Sequence, residues 1–272
     1  MNTTQEKRAR FRALHQSGCF VIPNPWDIGS ARLMEHLGFV AIATTSSGFA
    51  WTIGKPDNSV TLDDVLKHLT ALAEATGLPL NADFESGFAG EPAKLAANVS
   101  LVIKTGVAGF SIEDRQVDSL DNLYERSLAV ERIKAARQAI DQSGEDVILV
   151  ARSERLLIDR EAIHEVTDSL VAFAEAGADC LYAPGVAKKE DIAAMVRAVS
   201  PKPLNVLVLK GSLSVAELAD LGVRRISVGG GLAKVGWTAV MGAAKEMLTG
   251  SFASLDRNIS GSDLNQVFQS FR

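Results

Sequence analysis

Short apolar runs alternate with longer stretches of helical period along almost the whole chain, and this alternation limits the fold more than any other feature. The runs are Cys19 to Pro23, Phe39 to Thr45, Leu78 to Asp83, Val107 to Glu113, Val147 to Arg152, Cys180 to Ala183, Leu204 to Leu207 and Arg225 to Val228. Between and after them lie helix candidates: Ile28 to Leu37, Leu62 to Thr76, Pro92 to Thr105, Leu123 to Gln142, Arg160 to Ala176, Lys189 to Val199, Val215 to Leu221 and Leu232 to Leu248. Gly38, Gly77, Gly106, Gly144, Gly177 and Gly222 stand where helices should stop before the next strand. Strands joined by helical crossovers pair in parallel. Eight such units without a dividing linker predict one α/β domain over residues 1–272, a (β/α)8 TIM barrel rather than a doubly wound sheet. A charged helix from Thr4 to Ser17 precedes it. The tail from about 249 carries Phe252, Val267, Phe268 and Phe271, which need a surface to cover, and a second subunit is the expected one.

Composition narrows the partners. With 47% hydrophobic and 22% charged residues the chain can bury a large core, which excludes disorder as a whole. A net charge of −5 without a basic cluster argues against nucleic acid as partner. The polar Met1 to Leu14 segment and the lack of a long apolar run argue against a membrane, so a cytoplasmic protein with a small-molecule ligand is expected. Cys19 and Cys180 have neither metal-ligand nor redox spacing and are expected to be reduced and mostly buried.

Strand alternation puts Leu80, Ala82 and Phe84 on one face and Asn81, Asp83 and Glu85 on the other. The next strand sends Glu113 to the corresponding face. Asp83, Glu85 and Glu113 should therefore converge where neighbouring strands end, the face on which barrel enzymes carry their sites. Convergent acids repel unless a positive charge separates them, and a hard cation such as Mg2+ is the expected answer. Other strand-end residues are Asn24, Asp27, Thr44 to Gly48, Asp114, Arg152, Pro184, Asn205 and Gly229 to Gly231. Each has a plainer reading: the acids as helix caps or surface pairs, Arg152 as a counter-ion, Thr45 to Gly48 and the glycine run as turns. His15, His36, His68 and His164 all fall in helical stretches, against a histidine base or a zinc site.

These residues carry a resemblance. Asn24-Pro25-Trp26-Asp27-Ile28-Gly29-Ser30-Ala31-Arg32, Thr44-Thr45-Ser46-Ser47-Gly48, Asp83-Phe84-Glu85-Ser86-Gly87-Phe88, Ile112-Glu113-Asp114, Ala151-Arg152 and Ser227-Val228-Gly229-Gly230-Gly231 resemble, in order, the isocitrate lyase/phosphoenolpyruvate mutase family. The resemblance implies a barrel whose last helix is exchanged between subunits, in a homotetramer. It implies Mg2+, or Mn2+ in its place, held largely through water by Asp83, Glu85 and Glu113 with Asp57 nearby. It further implies that Thr45, Ser46 and Ser47 hold the substrate carboxylate, and Gly48 and Asn205 are further expected substrate-binding residues. Arg152, Glu113 and Asp57 form the expected catalytic group, with Arg152 also binding substrate.

The expected activity is Mg2+-dependent cleavage of a C–C bond in a small 2-oxo or 2-hydroxy carboxylic acid through an enolate, on an oxaloacetate- or methylisocitrate-type substrate. The alternatives are P–C chemistry on a phosphonopyruvate-like substrate and a non-catalytic metabolite-binding barrel. One departure matters. The loop Arg115 to Tyr124 lacks the Cys, Lys and His of the family's lyase and mutase loops, leaving Asp118, Asp121 and Tyr124 among the polar candidates for a proton donor. The mutase and phosphonopyruvate hydrolase branches also place a histidine at the sixth strand, where this chain reads Tyr182-Ala183-Pro184-Gly185.

Overall fold

A computed structural model describes residues 2–117, 119 and 121–271. In chain order the elements are α1 (Thr4–Leu14), β1 (Phe20–Ile22), α2 (Ile28–His36), β2 (Ile42–Ala43), α3 (Ser46–Thr52), α4 (Leu62–Ala75), β3 (Leu80–Asp83), α5 (Pro92–Lys104), β4 (Gly109–Glu113) and α6 (Arg126–Ser143). There follow β5 (Ile148–Arg152), α7 (Arg155–Ile158), α8 (Ile163–Glu175), β6 (Cys180–Tyr182), α9 (Lys189–Val199), β7 (Leu204–Leu207), α10 (Val215–Asp220), β8 (Arg225–Ser227), α11 (Gly231–Leu248) and α12 (Gly261–Gln269).

All eight strands pair in parallel, in the order β1-β8-β7-β6-β5-β4-β3-β2. The seam between β1 and β2 is bridged by Ala43 N–H donating to the Pro23 carbonyl at 3.0 Å. Asn24 locks that seam. Its Nδ2 donates to the Thr44 carbonyl at 2.8 Å, while its Oδ1 accepts from Val228 and Gly229 amides at 2.9 and 2.8 Å. The expected TIM barrel is therefore present, nearly closed.

Alternation sorts the side chains. Leu80, Ala82, Phe84, Phe110 and Ile112 face outward into the large core shared with the helices. The barrel's lower interior is a second apolar cluster that includes Ile22, Ala43, Ile148, Val150 and Cys180, into which α1 inserts Phe11. Gly109 leaves room for that ring, since a Cβ there would come within 2.7 Å of Phe11. The charged look of α1 hides two buried cations that cap carbonyl groups. Lys7 Nζ donates to Ala73 and Thr76 carbonyls at 2.7 Å each, and Arg8 donates to Val107 and Ile103 at 3.0 and 2.8 Å.

The elements depart from the sequence expectation in a few places. Thr45 to Gly48 is not a free turn but opens α3, with Thr45 as its cap. The expected helices from Leu123 and from Arg160 begin at Arg126 and Ile163, and α7 precedes the second. In the tail, α12 lies against α2, and the Arg32 guanidinium sits 5.3 Å from the centre of the Phe271 ring.

In α11 only Ala233 is buried, and Val235, Trp237, Val240, Met241 and Leu248 are exposed, Leu248 at 89%. A barrel's eighth helix normally covers the strands, so this apolar face calls for a protein surface. Light scattering at micromolar concentration is expected to give an oligomer. A monomer would contradict this.

Candidate active site

Arg152 is the centre of the barrel mouth. It ends β5 and its Nη1 lies 3.3 Å from both Asp83 Oδ1 and Glu113 Oε2, the carboxylates that end β3 and β4. Its Nε donates to Glu154 Oε1, and Glu154 also takes Arg115 Nη2 at 3.1 Å. Two expected acids thus converge, but the charge between them is first a guanidinium. Among the described residues, accordingly, no three His, Cys, Asp or Glu side chains form a ready metal cluster.

Glu85 stands differently. It lies just past β3 in the left-handed region at φ 49°, and its buried Oε1 has no hydrogen-bond partner. Burial, then the charges of Asp83 and Asp57, push its carboxyl up to about 8. Burial above all raises Glu113 well above the usual carboxylate range, against the pull of Arg152. Asp57 is raised by burial and by Asp83.

The donors fit a divalent cation on charge and chemistry. Asp57, Asp83, Glu85, Glu113 and Glu154 crowd around Arg152, with Arg115 beside Glu113 and Glu154, and the upward shifts of Glu85, Glu113 and Asp57 mark a cluster that a further positive charge would favour in its ionised form. All donors are oxygens, as a hard cation requires. The orphaned Glu85 oxygen, together with Asp83 and Glu113, would hold such an ion.

A cavity of about 260 Å³ opens beside these acids, lined by Thr45, Ser46, Ser47, Asp57, Asp83, Arg152 and Asn205 among others. Ser46 N–H donates to Asp83 Oδ2 at 2.9 Å, and Asp83 N–H donates to Thr44 Oγ1 at 2.8 Å. Thr45 and Ser47 hydroxyls lie 3.1 Å apart. Gly48 is not on the cavity wall. It serves packing, because a Cβ there would meet Thr45 at 2.6 Å and Trp26 at 3.0 Å. Asp27 caps α2 through Ser30 N–H at 2.7 Å, and Asp114 braces the strand ends by accepting from Ser153 Oγ and Glu154 N–H at 2.8 Å each. The Gly229 amide serves Asn24, while Gly230 lets Ser47 approach, a Cβ there falling 2.7 Å from its hydroxyl.

Strand-end reading passed over three wall residues. Tyr182 ends β6 with the Arg152 guanidinium 5.2 Å from its ring centre, and burial pushes its hydroxyl up to about 12. Lys234 enters from α11. Arg225 starts β8 deep in the barrel, at the end where strand-end reasoning does not look.

The loop candidates lie elsewhere. Tyr124 is held by the Arg132 guanidinium, 4.3 Å from its ring centre, and by Val117 N–H, which donates to its hydroxyl at 3.3 Å. Asp121 and Asn122 line a separate groove, and Asp118 lies outside the described residues. None of the histidines lines the cavity. His15 donates or accepts at the Phe11 carbonyl at 2.7 Å under the barrel, and His68 stacks on Phe49 at 3.9 Å.

Fold and mouth together define a barrel enzyme class whose site is an acid cluster around one arginine. Residues 11–248 match the family model described as phosphoenolpyruvate phosphomutase. An uncharacterised protein of Mycobacterium tuberculosis is 31% identical, over 93% of this chain and 94% of its own length. An oxaloacetate decarboxylase of Paraburkholderia xenovorans is 27% identical over 82% of this chain and 75% of its own. Among solved structures, a provisionally assigned lyase/mutase of Burkholderia cenocepacia superposes with a TM-score of 0.95 at 42% identity, covering 98% of each chain. The chain belongs to the phosphoenolpyruvate mutase/isocitrate lyase superfamily of lyases and mutases that act on small carboxylic acids. Members of that family generally depend on a divalent metal.

Proposed function

We propose that the protein is a Mg2+-dependent carbon–carbon lyase acting on a small 2-oxo acid of the oxaloacetate type, as a cytoplasmic homotetramer built from single-domain subunits. The observation that carries the reading is the crowded acid cluster with the orphaned Glu85 oxygen, set beside Arg152 and the Thr45–Ser47 hydroxyls. Mg2+ held by Asp83, Glu85 and Glu113 would supply positive charge to an oxyanion as it forms.

The chain's own groups do the rest. Thr45, Ser46 and Ser47 bind and orient the 2-oxo acid head, with Asn205 deeper on the wall. Arg152 is kept charged by Asp83, Glu113 and Glu154 and offers its guanidinium to the substrate carboxylate. Tyr182 backs that guanidinium and, its hydroxyl raised to about 12, stays protonated at neutral pH. In oxaloacetate the C3–C4 bond breaks, C4 departs as carbon dioxide, and the electron pair remains as the enolate of pyruvate. C3 then takes a proton, which solvent can deliver. With Tyr124 held outside the cavity, this route needs no loop acid.

Pyruvate release is therefore expected to be efficient from oxaloacetate, poor from 2-methylisocitrate, and abolished in both by a chelator. Efficient cleavage of methylisocitrate would overturn the assignment. The match to the phosphoenolpyruvate phosphomutase model favours P–C chemistry as the second reading. Loss of phosphonopyruvate followed by 31P NMR would reveal it.

A further inference from the structure

An inward-facing row crosses the barrel from its mouth to its floor. Strand register makes Glu113, Arg152, Tyr182, Asn205, Arg225 and Phe20 successive lateral partners across β4, β5, β6, β7, β8 and β1. Glu113, Arg152 and Tyr182 are the last residues of their strands, whereas Arg225 and Phe20 are the first of theirs. The descent follows from strand tilt and the stagger it imposes in a closed barrel. The cavity follows the row, for Arg152, Tyr182, Asn205 and Arg225 all line it.

Its lower end carries a charge without a counter-charge. Arg225 is 3% exposed, and among the described residues no carboxylate lies within ion-pairing distance of it. Its Nη1 donates to Asn81 Oδ1 at 3.3 Å, its guanidinium sits 5.8 Å from the centre of the Phe11 ring, and its Nε has no partner. Beside it Asn205, 1% exposed, donates Nδ2 to Ser227 Oγ at 3.0 Å and leaves its Oδ1 unpartnered; a half-turn of the amide, with the Ser227 hydroxyl then donating to Oδ1, would present Nδ2 to an anion. Burying a cation without an anion is costly, and so is burying unpartnered polar atoms. The surrounding Ser111, Ser227 and Tyr182 hydroxyls offer polarity but no negative charge.

We infer that the floor of the cavity is a second anion subsite, centred on Arg225 with Asn205 beside it, which takes a small oxyanion of the carboxylate kind. A guanidinium offers planar, paired donors that match a carboxylate. The oxyanion is the second carboxylate of a substrate whose 2-oxo or 2-hydroxy head sits above, or a free carboxylate entering alone. The inference rests on the reading of the upper cavity as a 2-oxo acid site for the first source only.

Calorimetric titration with L-lactate and L-malate in Mg2+ separates these possibilities, since the two share a 2-hydroxy acid head and differ by one carboxylate. The wild type is expected to bind malate at least tenfold more tightly than lactate. Arg225→Met should abolish that preference while changing lactate affinity less than twofold, and Arg225→Lys should retain part of it. Asn205→Ala should reduce it and carries the test together with the lysine variant if Arg225→Met does not fold by circular dichroism. Equal binding of lactate and malate, with a formate-induced thermal shift lost in Arg225→Met, would support the subsite with a free anion. A malate preference that survives the Arg225 and Asn205 variants, or the absence of both preference and formate shift, would overturn the inference. Should neither hydroxy acid bind while the formate shift appears and depends on Arg225, the subsite stands and the proposed function falls.

Discussion

Glu85→Gln is expected to make the metal-free protein more stable than the wild type above pH 8, by about 4 kcal/mol, while abolishing stabilisation by Mg2+. The sign follows from the direction of the shift. Glu85 titrates at about 8 in the fold against an ordinary value of 4.5, so the folded state holds its proton more firmly than the unfolded chain does. Stability from this group is complete below 4.5 and is lost as pH rises through 8. Glutamine keeps the shape, removes the charge and escapes that loss. For a chain of this length the gain corresponds to a melting temperature roughly 10 °C higher. Urea titrations in chelator at pH 4.5 and pH 9 should show equal stability at the first and a large gap at the second. Equal stability at pH 9 would refute the account. Added Mg2+ should stabilise only the wild type, because ligation requires the carboxylate.

Arg152→Gln is expected to destabilise the fold by about 3–5 kcal/mol, since it removes the cation shared by Asp83, Glu113 and Glu154 and leaves only Arg115 beside the last two. Glutamine can donate a hydrogen bond but brings no charge. The deficit should grow with pH. Glu113 already holds its proton well above the ordinary range, and losing Arg152 raises it further, so acid neutralises the stranded charges and alkali exposes them. Urea midpoints at pH 5 and pH 8 provide the check, and an equal deficit at both would exclude the charge explanation. Pyruvate release from oxaloacetate should fall at least about a thousandfold, in line with losing a group that stabilises developing charge.

The two substitutions act on one acid cluster in opposite directions. Removing an uncompensated acid relieves the metal-free fold, whereas removing the cation aggravates the same repulsion. That contrast is what a mouth built to receive a further positive charge should produce. A merely structural ion pair would instead lose stability in both variants.

The chain's periodicity determined the barrel. A period of two within each apolar run sends Leu80, Ala82 and Phe84 outward and Asn81 and Asp83 inward, and helix-ending glycines mark where each crossover returns to the sheet. Because the active face of such a barrel is known from topology, Asp83, Glu113, Arg152 and the Thr45–Ser47 segment were legible from local sequence. Pairing was not. That Arg152 stands between Asp83 and Glu113, that Tyr182 backs it, and that Lys7 and Arg8 are buried caps depend on which distant strands and helices become neighbours. Tyr124, legible as a candidate acid, is turned away by Arg132 for the same reason. Arg225 shows the limit most clearly. Its sequence position, at the start of a strand, places it at the barrel's lower end, and only the stagger of eight tilted strands brings it onto the cavity that Arg152 lines from above. Side-chain direction is set locally by the backbone, but charge partners and cavities are set by register, which exists only once the barrel has closed.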